Sequence, residues 1–132
     1  MTILQGSRSG LAYIAEVTYG TTPTTPALTG IPYSTHSLDM TKARVQGNDI
    51  QPDRMLRIDR HGNRQAGGDV VVDMRKGDYD AFLESAFMST WATNVLKVGT
   101  TLKSFSIEDS ANDTSSTDAF RLFTGMSVSS LA

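Results

Sequence analysis

The sequence predicts a mainly β fold, a β-sandwich or barrel-like domain with one flanking helix at about residues 78–89. Three observations predict it. Several segments alternate apolar and polar residues with period two, which sets one strand face on a core and the other in solvent. Thr, Ser and Gly are plentiful, which together with that alternation favours strands joined by turns. Only one stretch switches to period 3.6, and a lone amphipathic helix needs a sheet on which to bury its stripe.

That helix follows the clearest strand signal. In residues 67–76, Val70, Val72 and Met74 alternate with Asp69, Val71, Asp73 and Arg75. Gly77 breaks the alternation. Tyr79, Phe82, Leu83, Ala86 and Phe87 then fall at i, i+3, i+4, i+7 and i+8, forming one stripe. Asp78 is placed to cap the first turn, and Asp80 and Glu84 put negative charge toward its positive end.

Taken in order, residues 1–10 read as a polar N-terminal arm and residues 11–132 as a single domain. Residues 11–19 read as a strand with Leu11, Tyr13, Ala15 and Val17 on one face. Pro23 and Pro26 lack ladder donors, so residues 20–26 read as an extended connection. Residues 28–33 are short and broken by Gly30 and Pro32. Residues 37–45 alternate cleanly, with Leu38, Met40, Lys42 and Arg44 opposite Asp39, Thr41, Ala43 and Val45. Residues 46–65 show no period and read as one long loop, a length that is usually functional or disordered. Ile50, Met55, Leu56 and Ile58 argue against disorder, and with little local core to cover they point to burial against another subunit. Beyond the helix, residues 93–101 read as a short strand and residues 102–109 as another, with Phe105 and Ile107 facing in. Residues 110–117 form a polar turn, and residues 119–131 alternate again, with Phe120, Leu122, Met126 and Val128 on one side.

At 132 residues the chain suits one domain with a real core. A net charge of -2, from 12 basic and 14 acidic residues, imposes no bulk field that demands a polyanion or a membrane. The absence of cysteine excludes disulfides, thiolate catalysis and cysteine-ligated metal sites. The N-terminus lacks the charged start and apolar run of a signal peptide, and no apolar run approaches the roughly 20 residues of a membrane helix, so no membrane binding is expected.

Catalytic and cofactor signals are weak throughout. His36 and His61 sit in no metal-ligand spacing, so no metal site is expected. Asp78 and Asp80 read as helix-start residues rather than an acid–base pair. Asp69 and Asp73 lie two pleats apart on one strand face and do not support a glycosidase reading, no nucleotide-binding glycine motif and no nucleophile elbow occurs, and neither an enzyme nor a cofactor is expected.

The loop charges are more informative: Asp49, Asp53, Arg54, Arg57, Asp59, Arg60 and Arg64. One reading is a nucleic-acid-binding module whose finger, residues 54–64, sits on phosphates. The other is a subunit interface. Interleaved acids blunt phosphate attraction, and arginines separated by apolar residues suit a desolvated interface. The interface reading is favoured, with Ile50, Arg54, Met55, Leu56, Arg57, Ile58, Arg60 and Arg64 as its residues.

An ordered set of short motifs resembles the phage tail tube protein family of long-tailed bacteriophages. The set comprises Glu16-Val17-Thr18-Tyr19-Gly20-Thr21-Thr22-Pro23, Gly30-Ile31-Pro32-Tyr33, and Asn48-Asp49-Ile50 with Arg54. It continues with Arg60-His61-Gly62-Asn63-Arg64-Gln65-Ala66-Gly67-Gly68-Asp69 and Thr90-Trp91-Ala92-Thr93-Asn94. The resemblance implies a structural virion protein that assembles into stacked hexameric rings, whose strands join in an intersubunit β-barrel. The resulting tail tube conducts DNA during genome ejection. It implies assembly in the host cytoplasm, a final place in the virion tail, and as partners other copies of the chain, a tape measure protein, a tail terminator and tail tip proteins, with DNA passing without specific binding. Members often continue past the final strand, so a partner strand or further domain is expected beyond residues 119–131 or from another molecule. On this reading residues 37–45 and 68–76 are the tube-wall strands. Asp39, Thr41, Asp69 and Asp73 then face the lumen, where carboxylates repel passing phosphates.

Overall fold

The computed structural model describes residues 4–49, 52, 53, 55, 58–113 and 118–132. Its strands are β1 (Leu4–Ala15), β2 (Thr29–Ile31), β3 (Thr35–His36), β4 (Asp39–Val45), β5 (Arg60–Gly67) and β6 (Val70–Val71). They are followed by helix α1 (Asp80–Ala86), β7 (Phe105–Asp113) and β8 (Asp118–Met126). The fold is therefore mainly β with one short helix. Its four-stranded sheet has the order β2-β1-β7-β8, and β3 with β6 and β4 with β5 make two-stranded sheets. No closed barrel forms among the described residues. The chain divides into two compact units, one of residues 1–35 and 71–132, the other of residues 36–70.

In the first unit every neighbouring strand of the four-stranded sheet is antiparallel. Register sets the core. Tyr13 lies opposite Ile107, and Ile107 opposite Phe123, so these three share one face. Leu11, Phe105, Ile107 and Phe123 are buried there. The helix packs by its aromatic stripe: the Phe82 ring lies 4.6 Å from Tyr13 and 5.0 Å from Phe105, centroid to centroid. Phe105 is only 2% exposed.

Helix α1 is shorter than its periodicity predicts. Asp78 does not cap it; Tyr79 takes the N-cap position with no side-chain cap hydrogen bond. The buried Tyr79 instead donates its hydroxyl to Pro32 O at 2.5 Å. Met88, at φ +51°, leaves the helical region and stops the helix. Two side chains hold the exit. Glu84 Oε1 accepts from Trp91 N–H at 2.9 Å, and Glu84 Oε2 pairs with Lys103 Nζ at 2.5 Å. Ser85 is buried and satisfied, donating to Lys103 O at 2.9 Å and accepting from Val128 N–H at 3.3 Å.

A polar knot closes the end of the sheet. Glu16 follows β1, and its carboxylate accepts from Ser106 Oγ (2.8 Å), Ser104 Oγ (2.7 Å), Gly20 N–H (2.8 Å) and Gly125 N–H (2.8 Å). Burial pushes the Glu16 carboxyl up, but the donors from Gly125, Ser104, Ser106 and Gly20 outweigh it and hold the group below its ordinary value. Its neighbour Val17 is almost fully exposed, because the chain has left the sheet after Ala15 and no longer follows the alternation.

Four sequence expectations change here. The strand starts at Leu4, within the stretch read as an arm, pairing Leu4 with Asp113. Residues 68–76 hold only the two-residue β6. Ser34 N–H donates to Val71 O, but Pro32, just upstream, has no N–H with which to prolong the ladder. Residues 93–101 form no strand; Ala92 and Val95 exchange backbone hydrogen bonds around Thr93 and Asn94, both at positive φ. Finally, the residues expected on one side of the last strand divide: Phe120 and Leu122 share a face, but a register shift places Met126 opposite the buried Phe105, on the face of Phe123.

Candidate assembly surface

The second unit contains the pairing that the sequence hid. Strand β5 begins inside the stretch expected to be loop and pairs antiparallel with β4: Thr41 opposes Gln65, Lys42 opposes Arg64, Arg44 opposes His61 and Val45 opposes Arg60. One extra residue on β5 shifts the register between Lys42 and Arg44. Gly62 sits at that bulge, where a Cβ would come within 3.2 Å of the Ala43 and Val45 side chains.

Every residue of β4 is exposed, and in β5 only Gly62 is partly covered. A strand with one face in a core carries alternating apolar residues; Arg60-His61-Gly62-Asn63-Arg64-Gln65-Ala66-Gly67 carries none of that signal because neither face is buried. A two-stranded ribbon of this kind is marginal by itself in water.

The two faces of the ribbon differ in charge. Met40, Lys42 and Arg44 share one face with Arg64 and His61; Asp39, Thr41, Ala43 and Val45 share the other with Gln65 and Arg60, so the first face is basic and the second is nearly balanced. Arg44 Nε pairs with Asp59 at 2.5 Å. No ion pair holds Lys42 or Arg64 among the described residues. On the opposite face Asp39 accepts from its neighbour's N–H, Met40, at 2.8 Å, and Thr41 Oγ1 donates to Gln65 O at 3.4 Å.

Of the expected interface residues, Met55 is 72% and Ile58 95% exposed, and Arg60 and Arg64 stand on β5. Ile50, Arg54, Leu56 and Arg57 lie outside the described residues. Of the expected lumen residues, Asp39 and Thr41 share a β4 face. Asp69 precedes β6, with its N–H donating to Ser37 Oγ at 2.9 Å, while Asp73 follows β6 in the other compact unit. The strand that was to align Asp69 with Asp73 stops at Val71, so the structure does not bring these two together on one strand face.

The first unit carries exposed apolar surface as well. Strand β8 ends the four-stranded sheet and presents Phe120 (66% exposed) and Leu122 (48% exposed) on the face opposite Phe123. An edge strand with unpaired backbone groups beside exposed aromatic surface is a template for another chain. Sequence alternation found Phe120 and Leu122 as a pair and the loop charges named Arg64 as an interface residue, but Lys42 was assigned no role; it gains meaning only through its register with Arg64 of β5. Among the described residues no cluster of three metal-ligating side chains occurs.

No individual curated protein matches the chain. The model of a family of structural proteins rather than enzymes, described as phage tail tube protein, matches residues 6–132, nearly the whole length. An exposed ribbon, an open sheet edge and that match agree, and the chain belongs to the phage tail tube protein family.

Proposed function

We propose that copies of this chain assemble into stacked hexameric rings that form the tube through which DNA leaves the virion. The β4–β5 ribbon carries the reading. It is exposed on both faces, and a two-stranded ribbon reaches independent stability only when further strands or a packed face are added. Ribbons from neighbouring copies supply those strands, and closure into an intersubunit barrel removes the edges that a single copy leaves open.

In this arrangement Asp39, Thr41, Asp69 and Asp73 border the channel, and their carboxylates keep phosphates from adhering. The exposed Met55 and Ile58 reach an adjacent subunit or ring, joined by Ile50, Arg54, Leu56, Arg57, Arg60 and Arg64. A tape measure protein occupies the channel during assembly, and a terminator and tip proteins close the ends.

Electron microscopy of the purified protein tests the proposal. Rings or tubes are expected at raised concentration. A monodisperse monomer that binds short duplex DNA with steep salt dependence would support the nucleic-acid-binding reading instead.

A further inference from the structure

The ribbon carries an internal conflict. Lys42 and Arg64 lie directly opposite each other, and like charges in that position destabilise the strand pair. Arg44 follows on the same face, with its side chain 68% exposed although it pairs with Asp59. No carboxylate pairs with Lys42 or Arg64 among the described residues. An anionic surface laid on this face would remove the conflict.

The chain supplies such a surface on its other unit. Asp78 and Asp80 are both exposed at the entry to α1, and no ion pair engages either among the described residues. Their fields converge: burial first, then Asp78 and Asp80, push the Tyr13 hydroxyl up. Resting on the assembly reading above, we propose that the basic face of the β4–β5 ribbon, formed by Lys42, Arg44 and Arg64, docks on Asp78 and Asp80 of a second copy of this chain.

The contact is heterologous. Each copy offers a basic ribbon face and an acidic helix entry, so the contact propagates from copy to copy and can close into a ring. Asp39 and Thr41 then remain on the opposite ribbon face, available to the channel. DNA fits the basic face less well: three cations beside Asp59 fall short of the roughly 6–10 phosphate contacts that drive strong salt-dependent binding.

Two charge-reversed proteins test this. One carries Lys42→Glu and Arg64→Glu; the other carries Asp78→Lys and Asp80→Lys. Each alone places like charges in every contact, and the expected result is loss of rings and tubes. An equimolar mixture restores opposite charges in every contact of an alternating even-numbered ring, and assembly is expected to return. An ion pair made within one chain would be broken in each variant and would not return on mixing.

Thermal melting of each variant separates lost assembly from lost folding. If charge reversal unfolds a variant, Lys42→Gln with Arg64→Gln replaces it and should weaken the salt dependence of assembly. The proposal is overturned if either reversed variant forms tubes as wild type does, or if two folded variants fail to co-assemble. It is also overturned if the wild-type monomer binds duplex DNA through Lys42 and Arg64. In those cases wild-type tubes leave the assembly reading standing; a wild-type protein that stays monomeric at high concentration overturns both.

Discussion

The backbone N–H of Gly125 donates to Glu16 Oε1 at 2.8 Å, joining two residues 109 positions apart. Gly125 adopts φ +69°, and a Cβ there would sit 3.2 Å from the Tyr19 ring. The end of β8 thus curls over the end of β1 and is held by one carboxylate.

That knot gives a mutational and a pH prediction. Glu16→Gln replaces one acceptor oxygen with a donor facing other donors, and should cost about 1–3 kcal/mol at neutral pH, as measured by chemical denaturation. The folded pKa of Glu16 lies below the ordinary glutamate value of 4.5. Its contribution is therefore complete above that value and is lost as pH falls through the folded pKa. Glu84 behaves alike, lowered chiefly by the Lys103 hydrogen bond and also by Trp91 N–H. The melting temperature should fall on acidification below about pH 4.5, and Glu16→Gln should fall less steeply than wild type.

Phe105 anchors the sheet to the helix. Phe105→Ala should cost about 3–5 kcal/mol, because its ring is buried between Tyr13 and Phe82. Phe82→Ala should cost less, since Phe82 is only half-buried. Equal losses in denaturation would show that the helix stripe is as enclosed as the sheet core.

Gly68 adopts φ +152°, and a Cβ there would lie 2.5 Å from Ser37 O and 2.7 Å from Ser37 C. Gly68→Ala must displace backbone at the base of the ribbon, at a cost of about 1–3 kcal/mol. Hydrogen exchange should accelerate in β4 and β5 while the amides of β1, β7 and β8 keep their protection.

Ile58→Asp removes exposed apolar surface without opening a core. The melting temperature of the monomer should hardly change, since surface substitutions usually stay within about 0.5 kcal/mol. Tube formation should fail. Tubes at wild-type yield would remove residues 46–59 from the assembly surface.

Asp39→Lys together with Thr41→Lys should leave assembly intact and retard genome delivery by virions built from it, because lysines on that face attract phosphates. Delivery at the wild-type rate would move this face of β4 away from the channel.

Patterning alone determined the mainly β class, the single helix with its Tyr79, Phe82 and Leu83 stripe, and the inward Phe105 and Ile107. Each of these packs against something within the chain, and burial writes a periodic apolar signal into the residues. Only the tertiary structure decided the strand at Arg60–Gly67, the pairing of Lys42 with Arg64, the early end of the strand at Val71 and the Glu16 knot. Strand β5 escapes periodicity because neither face of the ribbon is buried, and the knot escapes it because, Gly20 apart, its donors come from segments about 90 and 109 residues away, which spacing along the chain cannot join.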